Sequence, residues 1–407
     1  MRVLLSAYAC EPNRGSEPGV GWNWALEVAK RGHKTIVITR LNNKQIIESV
    51  ILNDLNIQFI YYDLPVKLMW LKKVFGVHVY YFLWQIGIYF NVKKKLYLLQ
   101  PDIIHHITFV AIRKYSFLGF LGVPFYYGPL GGGESCSATL LRGLPVRYRL
   151  KENLRNSLNA FVKWNPISRI IFNQSRKIFC TTNESAAYLS HSFKNKIHSF
   201  PAIGITNENV ILNKTSLNGN LKILYVGQFI YWKGIQMALD ALSLLKTENN
   251  NFTLTLVGKG EFEPFLRKKI KRLGLSENII WINWLPQEQL KELYQNNDLF
   301  MFPSLHDSGG MVVLEAMINV LPVLSFNMGG PGYFNNNDIG WVLDVNNKTY
   351  QNVVNEMALK LNSISKNSKE IVIKSQKCKE YISHYSWEQT VSQVYNIIEN
   401  DFQNVNN

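Results

Sequence analysis

Residues 222–326 alternate short apolar runs with segments of helical periodicity, and this alternation leaves the chain few possible folds. Strands are predicted at 222–226, 253–257, 279–282, 299–303 and 322–326. Helices are predicted between them, at 235–246, 262–273, 287–296 and 311–319. Because strands that are joined through helices pair in parallel, this half of the chain is predicted to be an α/β domain with one parallel sheet.

The first forty residues also predict a strand-helix-strand unit, with strands at 3–8 and 34–39 and a helix at 19–30. The joining loop spaces Gly15, Gly19 and Gly21 differently from the G-x-G-x-x-G fingerprint of dinucleotide-binding folds. The second strand is followed by Arg40 rather than by an acid that could hold a ribose hydroxyl. Both observations argue against a nicotinamide cofactor.

A length of 407 residues exceeds what one hydrophobic core usually holds, so two domains are expected. The polar run at 206–220 is the best linker candidate and divides the chain into residues 1–205 and 206–384. The four cysteines are far apart in sequence, which argues against a disulfide framework and favours a reducing cytoplasm. No apolar run is long enough for a spanning helix, and the first residues do not read as a signal peptide.

The net charge of +15 lies entirely in the first half. Residues 1–205 hold 26 Lys and Arg against 10 Asp and Glu, whereas residues 206–407 hold 18 against 19. An anionic partner of the first half is therefore expected, either membrane phospholipid, a pyrophosphate-linked substrate or nucleic acid. A solubilising surface is the alternative.

A membrane partner is favoured by residues 64–97, where six lysines and no acid flank the aromatic belt at 80–84. A second basic stretch holds Arg142, Arg147, Arg149, Lys151 and Arg155. Aromatic and cationic side chains together suit the bilayer interface, so peripheral attachment to the cytoplasmic leaflet is predicted. An aromatic core helix with solvated lysines remains the alternative.

Two turns of the second half carry charged residues at the carboxyl ends of predicted strands, where open parallel sheets bind ligands. Gly227 ends one strand, and Lys233 stands at the start of the next helix, a placement that suits a phosphate. After another strand, Asp307 precedes a helix that contains Glu315. Acids in apolar surroundings need partners, which the hydroxyl groups of a ligand would supply.

In the second of these turns, the amides of Gly309, Gly310 and Met311 are expected to face an anion. Alternatively, Asp307 only caps the helix and Glu315 is solvated. In the first half, three glycines at 131–133 follow a predicted strand and are expected either to display their amides to a ligand or to form a flexible hairpin loop. The paired His105 and His106 are open to a structural or a catalytic role.

The spacing Asp307-x7-Glu315 resembles the Glu-x7-Glu motif of glycosyltransferase family 4, retaining enzymes of GT-B fold. The similarity spans nearly the whole chain and includes Val226-Gly227, Lys233-Gly234, the stretches 201–205, 257–260, 303–304, 314–317 and 321–323, and Arg31-Gly32-His33. It implies two Rossmann-like α/β domains with parallel sheets facing across a cleft. The acceptor would bind the first domain and the donor the second, and residues 385–407 would pack back on the first.

By that resemblance Glu315 holds the nucleotide ribose, Lys233 neutralises the diphosphate and Asp307 contacts the donor sugar. The other implied donor-binding residues are Gly227, Gln228, Gly258, Trp284, Leu285, Ser308, Gly309, Gly310 and Met311. The implied acceptor and phosphate loops of the first domain contain Gly15, Gly19, His106, Gly131, Gly132 and Gly133.

Three departures from the family pattern stand out. Asp307 is one methylene shorter than the usual Glu. Gln228 replaces an Arg, which leaves Lys233 as the only matching cation for the diphosphate, and Arg113 or Lys114 is the candidate for a second one. The His that many members carry after the fifth strand is absent, because that place reads Gly128-Pro129-Leu130-Gly131.

No Asp-x-Asp triplet occurs, so a metal bridge to the diphosphate is not expected, and neither is a cofactor. The resemblance therefore implies a metal-independent, retaining hexosyl or related glycosyltransferase that uses a UDP- or GDP-linked sugar. Its acceptor would be a glycan or lipid-linked glycan of bacterial-type polysaccharide, lipopolysaccharide or capsule synthesis. The alternatives are a GT-B sugar-nucleotide epimerase and a catalytically silent family member. A nucleic-acid binder is disfavoured, because no zinc-finger or RNP-like motif is present and the two acids would be unexplained.

Overall fold

The computed structural model describes residues 1–50, 52, 54–68, 70–206, 219–248 and 251–406. It divides into two compact units. Unit 1 comprises Met1–Gly133, Leu158–Gly204 and Trp387–Asn407, and unit 2 comprises Glu134–Ser157 and Ile205–Ser386. Most of the predicted linker, at 207–218, lies outside the described residues.

The described part of unit 1 contains seven strands: β1 (Arg2–Ser6), β2 (Lys34–Thr39), β3 (Ile57–Tyr61), β4 (Ile103–His106), β5 (Phe125–Leu130), β6 (Ser175–Cys180) and β7 (Ile197–Ser199). They form one sheet in the order β3-β2-β1-β4-β5-β6-β7. Every neighbouring pair runs parallel. The interior strand β1 buries Val3, Leu4 and Leu5 completely, as expected for a sheet that is covered on both faces.

The first helices are α1 (Ser16–Lys30), α2 (Lys44–Glu48), α3 (Trp70–Leu99), α4 (Val146–Phe161), α5 (Pro166–Asn173) and α6 (Asn183–Phe193). Of these, α4 begins in the unit 2 segment Glu134–Ser157 and ends in unit 1. The sequence places residues 134–157 in the first domain, whereas the structure groups them with unit 2. Packing explains the difference, since the ring centroid of Tyr148 lies 5.0 Å from that of Tyr231 and 5.1 Å from that of Phe262.

The described strands of unit 2 are β8 (Leu221–Val226), β9 (Phe252–Val257), β10 (Ile279–Ile282), β11 (Leu299–Phe302), β12 (Val323–Phe326) and β13 (Trp341–Leu343). They form a parallel sheet in the order β10-β9-β8-β11-β12-β13. The helices are α7 (Ile235–Thr247), α8 (Glu263–Arg272), α9 (Gln287–Asn296), α10 (Met311–Ile318), α11 (Gly329–Phe334), α12 (Tyr350–Lys366) and α13 (Ser368–Ile382). The two parallel-sheet units confirm the predicted α/β class with two Rossmann-like domains.

The last helix, α14 (Trp387–Asn406), belongs to unit 1. Its Glu399 accepts hydrogen bonds from Arg31, at 2.9 Å, and lies 2.9 Å from Nε2 of His33. Its Asp401 accepts hydrogen bonds at 2.7 Å from the hydroxyl of Tyr126 and from Nε of Arg176. The Arg-Gly-His sequence after α1 therefore holds the C-terminal helix in place.

The predicted aromatic belt at 80–84 lies in α3, and most of its rings belong to the core of unit 1. Tyr80, Tyr81 and Trp84 are buried, and Phe82 is exposed. The rings of Tyr81 and Trp84 pack edge-on against Tyr8, with centroids 5.2 and 5.1 Å away. The alternative of a core helix therefore accounts for these three rings. Across the residues that the structure describes, no helix is both long and apolar enough to cross a bilayer.

Candidate functional site

The site in unit 2 forms where the strand order of the sheet reverses direction. From β8 the chain builds outward through β9 and β10, and it then returns to place β11 on the other side of β8. The loops that follow β8 and β11 therefore diverge from neighbouring strand ends, which is where open α/β sheets bind ligands. Lys233 lies in the first of these loops and Asp307 in the second.

Lys233 and Asp307 form an ion pair across this switch point, through Nζ and Oδ2. Both side chains are mostly buried, and Nζ also lies 4.8 Å from the ring centroid of Phe302, the last residue of β11. Burial raises the pKa of Asp307, but the charge and hydrogen bond of Lys233, with two backbone amides, lower it more, so the pKa stays below its usual value. Asp307 is thus ionised at neutral pH.

The two backbone amides that bind Asp307 correct one expectation. Its Oδ1 accepts hydrogen bonds from the amides of Gly309, at 3.2 Å, and Gly310, at 3.3 Å. These amides were expected to face an anionic ligand, and in this structure the carboxylate of Asp307 occupies them. Short polar side chains readily accept hydrogen bonds from amides two or three residues ahead. The amides of the loop therefore hold the carboxylate of Asp307 in place. Asp307 thus caps amides, as the alternative interpretation expects, but they are amides of the loop that precedes α10.

Glu315 lies in the second turn of α10 and is partly buried. Its Oε2 accepts a hydrogen bond of 3.1 Å from the hydroxyl of Tyr294 on α9. Burial raises the pKa of Glu315, and the Tyr294 hydrogen bond only partly opposes this effect. Glu315 is therefore not the solvated residue of the alternative interpretation, but a carboxylate held in a partly apolar setting.

A row of aromatic rings connects Glu315 to the ion pair. Tyr294 lies 5.6 Å from Phe300, and Phe300 stacks on Phe302 at 5.9 Å, all measured between ring centroids. The ring of Phe302 in turn contacts the ammonium group of Lys233. Because Phe300 and Phe302 are two residues apart on β11, they share one face of the strand. The structure thus brings Lys233 and Asp307 into contact and connects Glu315 to them through this row.

Close backbone packing explains the glycines of these loops. A Cβ on Gly234, whose φ is 72°, would lie 1.7 Å from the carbonyl oxygen of Pro303 in the β11 loop. A Cβ on Gly258, whose φ is 144°, would lie 2.0 Å from the carbonyl oxygen of Gly227. Any side chain at either position would separate loops that must touch, so both glycines shape the site.

The remaining donor-side residues occupy the same sheet edge. Gln228 is exposed after β8, and its carbonyl accepts a 3.1 Å hydrogen bond from Tyr225. Trp284 is 72% exposed and Leu285 half-buried in the loop after the edge strand β10. Ser308 lies between Asp307 and the glycines, and Met311 begins α10.

The glycines at 131–133 of unit 1 are packed rather than displayed. The amide of Gly131 donates to the carbonyl of Val110, and the amide of Gly133 donates to Oγ of Ser185 at 3.0 Å. The carbonyl of Gly132 accepts a 3.0 Å hydrogen bond from Asn159. Neither the flexible hairpin nor the display of the Gly131 and Gly133 amides is realised, because these amides are used inside the unit. Gly19 is buried in α1, whereas Gly15 is exposed just before it.

His106 lies in the core and has no free ring nitrogen. Its Nδ1 lies 2.8 Å from Oγ of Ser6, and its Nε2 lies 2.8 Å from the hydroxyl of Tyr81. Burial lowers its pKa to about 3, so the ring is neutral. His105 is buried in the same way, 3.0 Å from the carbonyl of Gly128, with its pKa likewise lowered by burial to about 3. The structural interpretation holds for both, and His106 is not placed to contact a ligand.

Unit 1 has its own switch point, between β1 and β4, and the sequence analysis missed an acid there. Glu17, at the start of α1, accepts a 2.9 Å hydrogen bond from the amide of Phe109 in the loop after β4. Burial raises the pKa of Glu17 and lowers that of Lys114 to about 8, while their opposite charges partly offset both shifts. The Nζ of Lys114 lies 3.8 Å from the ring centroid of Phe109. Arg113 next to it is exposed.

The sequence analysis also missed Glu152, a fully buried carboxylate on the unit 2 part of α4. It accepts a 2.8 Å hydrogen bond from the hydroxyl of Tyr231, and it lies 3.2 Å from both Nε2 of His306 and the guanidinium of Arg155. Burial raises the pKa of Glu152, but His306, Arg155 and Tyr231 together lower it below its usual value. Burial lowers the pKa of His306, so a neutral ring donates Nε2–H to the carboxylate.

This arrangement, which we call the Glu152 cluster, consists of Glu152, Tyr231, His306 and Arg155. Tyr231 is two residues from Lys233, and His306 is next to Asp307. The rings of Trp232 and His306 also stack, with centroids 5.2 Å apart. The cluster therefore ties the two loops of the ion pair to one buried anion. Glu152, Tyr231 and His306 gave no sequence signal, because their contacts span 79 and 154 residues.

The family comparison falls on the unit that carries the ion pair. Residues 208–384 match the family of glycosyl transferases group 1. The matched region contains Lys233, Asp307 and Glu315. The resemblance of this half to glycosyltransferases is thereby confirmed for these residues.

Among the curated relatives, the amylovoran biosynthesis glycosyltransferase AmsK of Erwinia amylovora is 30% identical over 136 residues. These residues are 32% of this chain and 33% of AmsK. Three curated relatives are matched over 27%, 33% and 53% of their own lengths. The chain thus spans from about a quarter to about a half of the length of these curated relatives.

Solved structures share the fold over nearly the whole chain. WaaG, a glycosyltransferase involved in lipopolysaccharide biosynthesis, is 18% identical with a TM-score of 0.60, over 97% of this chain and 99% of WaaG. HepE of Anabaena, in complex with UDP and glucose, is 14% identical with a TM-score of 0.60, over 98% and 100%. At such identities the likeness shows the fold, which is the GT-B fold of two Rossmann-like domains.

Proposed function

We propose that this chain is a retaining glycosyltransferase that moves a sugar from a nucleoside diphosphate to a glycan or lipid-linked glycan acceptor. The observation that carries the proposal is the Lys233–Asp307 ion pair at the switch point of unit 2. The family match to the same unit supports it. The complex of HepE with UDP and glucose supports a uridine nucleotide as the first donor to test.

The site residues suit the separate parts of such a donor. Glu315 has carboxylate oxygens that can accept hydrogen bonds from ribose hydroxyls, and Tyr294 orients one of them. Lys233 offers a point charge to the diphosphate, whose oxygens would compete with Asp307 for it. Asp307, held by two amides, can accept a hydrogen bond from the donor sugar.

Retention of configuration is proposed to need no strong side-chain base. The leaving diphosphate can take the acceptor proton on the face that it leaves, so the protein mainly positions the reactants and stabilises the departing charge. We propose that Lys233 supplies that stabilisation and that no metal ion is required. In unit 1, the ionisable groups Glu17 and Lys114, at the carboxyl ends of β1 and β4, are proposed to bind an acceptor.

A thermal-shift panel of nucleoside diphosphates and their sugars tests the proposal, with EDTA present throughout. One nucleotide is expected to stabilise the protein by about 2.7 kcal/mol at a hundred times its dissociation constant. Sugar transfer to an acceptor is expected to be equally fast with and without EDTA. No stabilisation by any nucleotide, or strict magnesium or manganese dependence, would contradict the proposal. Conversion of the sugar nucleotide to its epimer without acceptor would reassign the chain as an epimerase.

Peripheral attachment to the cytoplasmic face of a membrane, in bacterial-type polysaccharide, lipopolysaccharide or capsule synthesis, is the proposed setting. It is supported by the excess of 26 basic over 10 acidic residues in 1–205. The names of AmsK and WaaG, which state amylovoran and lipopolysaccharide biosynthesis for those proteins, support the polysaccharide setting alone.

The Glu152 cluster gives a prediction about positioning. Replacing Glu152 with Ala leaves the buried hydroxyl of Tyr231 and Nε2–H of His306 without their acceptor, at a cost of about 1–3 kcal/mol each. We expect a lower melting temperature, and also about tenfold weaker nucleotide binding because the Lys233 and Asp307 loops lose their shared anchor. Glu152→Gln keeps an acceptor oxygen and is expected to recover most of the affinity. Calorimetric titration of the nucleotide measures it.

Glu261→Ala is the matched control, since Glu261 forms an exposed ion pair with Lys151. Exposed pairs contribute at most about 1 kcal/mol, so this variant is expected to keep its stability and affinity. If Glu152→Ala lowers the melting temperature but binds nucleotide like the wild type, Glu152 only stabilises the fold.

A further inference from the structure

Unit 1 exposes a continuous set of large apolar side chains where α4 ends and α5 follows. We call it the α4–α5 face, and it consists of Leu158, Phe161, Trp164, Ile167 and Ile170. Each of the five is between 45% and 72% exposed. Leu158 and Phe161 on α4 are three residues apart, as are Ile167 and Ile170 on α5, so each pair lies on one side of its helix, and Trp164 lies in the turn between the helices. The inner side is buried through Val162, Ile171 and Phe172.

The charges along this segment of the chain have one sign. Residues 153–183 contain five Lys and Arg and no Asp or Glu. Lys163 and Arg169, which alternate with the apolar residues, are both exposed. An apolar surface bordered by cations fits an anionic interface whose interior is hydrophobic.

An anionic bilayer satisfies both properties better than the other occupants. Two copies of this chain that met through the face would bring Lys163 and Arg169 of one copy close to those of the other, which is unfavourable. Nucleic acid would pair with the charges, but it would leave aliphatic side chains such as Ile167 and Ile170 against phosphates. At a bilayer the apolar side chains enter the headgroup and acyl boundary, and the cations meet anionic headgroups.

We propose that the α4–α5 face is the surface through which unit 1 binds an anionic membrane. The proposal gives the suggested membrane attachment a specific location and rests on it. The location differs from the belt at 80–84, where Tyr80, Tyr81 and Trp84 are buried in the core. Trp164, the most exposed of the five, has its ring centroid 6.3 Å from that of His191, so it lies beside α6.

Vesicle co-sedimentation of the full chain tests the proposal without nucleotide or acceptor. The wild type is expected to bind vesicles of phosphatidylglycerol and phosphatidylcholine better than vesicles of phosphatidylcholine alone. The triple variant Trp164→Ser, Ile167→Ser, Ile170→Ser is expected to bind the anionic vesicles at least about tenfold less, because it loses most of the inserted apolar area. Lys163→Gln and Arg169→Gln are each expected to weaken binding about fivefold, an effect that added salt reproduces.

The matched control is on α3, where Phe90, Tyr97 and Leu98 are 55% to 85% exposed near Lys93, Lys94 and Lys95. Their replacement by Ser is expected to leave vesicle binding within twofold of the wild type. An environment-sensitive dye attached to Ile167→Cys gives a second readout. Labelling is specific to the introduced cysteine in the folded protein, because the four native cysteines are buried and slow to react. The emission of the dye is expected to rise and shift to the blue on anionic vesicles.

Each other outcome overturns part of the account. If the wild type binds no vesicle, the membrane attachment itself fails, whatever the nucleotide panel shows. If the α3 variant loses binding and the α4–α5 variant keeps it, the attachment surface is α3. If the wild type is a stable dimer that the α4–α5 variant dissociates, the face joins two copies of the chain and the proposal is wrong.

Discussion

Replacing Glu315 with Gln is expected to raise the melting temperature of the free protein and to remove most of its affinity for the nucleotide. Burial raises the pKa of Glu315, which means that the folded protein holds its charge at a cost that the neutral amide avoids. Gln can still accept the Tyr294 hydrogen bond. Hydrogen bonds to a charged acceptor contribute about 1.5–3 kcal/mol, so the loss of the carboxylate is expected to weaken nucleotide binding roughly ten- to hundredfold.

Thermal denaturation with and without the nucleotide measures both effects in one experiment. Glu288→Gln is the control, since Glu288 is exposed at the start of α9, and it is expected to change neither quantity. A Glu315→Gln protein that binds nucleotide like the wild type would refute the role of Glu315.

The raised pKa of Glu315 also gives nucleotide binding a pH dependence. The folded carboxylate takes up its proton at higher pH than an ordinary Glu, whose pKa is about 4.3. As pH falls through the raised pKa, protonation relieves the buried charge and stabilises this part of the fold, while the ribose acceptor is lost. Affinity is therefore expected to fall on acidification in the wild type and to fall less in Glu315→Gln.

The second large effect is expected from Lys233. Lys233→Met removes the cation that is proposed to meet the diphosphate and leaves Asp307 with only the two backbone amides. Groups that stabilise charge developing in the transition state typically contribute a factor of about 10²–10³ in kcat, and a loss of that order is expected here. Lys259→Met is the control, since Lys259 is exposed in the loop after β9, at the same sheet edge.

Asp307→Ala separates the two partners of the pair. It removes the proposed contact with the donor sugar but keeps Lys233, so turnover is expected to fall more than nucleotide affinity. Steady-state kinetics together with titration of the nucleotide distinguish the two effects. Equal losses of kcat and of nucleotide affinity in Asp307→Ala would contradict this division of roles.

Local pattern was enough to predict the architecture of unit 2. The predicted bounds of β10 and α9 are those of the structure, because a buried parallel strand is a short apolar run and α9 has clear helical periodicity. The predicted strand at 299–303 ends one residue earlier, before Pro303, which cannot donate to a ladder. Lys233 and Asp307 could be expected to meet, since both follow strands that the fold places side by side.

What local pattern could not show is how polar groups are shared between distant segments. Glu152 is one acid in a basic stretch, and its partners Tyr231 and His306 lie far along the chain. The amides of Gly309 and Gly310 were expected to face a ligand, but a side chain two or three residues away is a nearer acceptor. His106 seemed open to catalysis because burial of its partners Ser6 and Tyr81 depends on tertiary packing.

The central claim is that Lys233 and Glu315 bind different parts of one sugar-bearing diphosphate. Calorimetric titration of the best nucleoside diphosphate from the panel, and of its monophosphate, into the wild type, Lys233→Met and Glu315→Gln tests it most directly. Both variants are expected to lose at least about tenfold in affinity for the diphosphate. Lys233→Met is expected to lose much less for the monophosphate, whereas Glu315→Gln loses equally for both. Wild-type affinity for the diphosphate in both variants would contradict the claim.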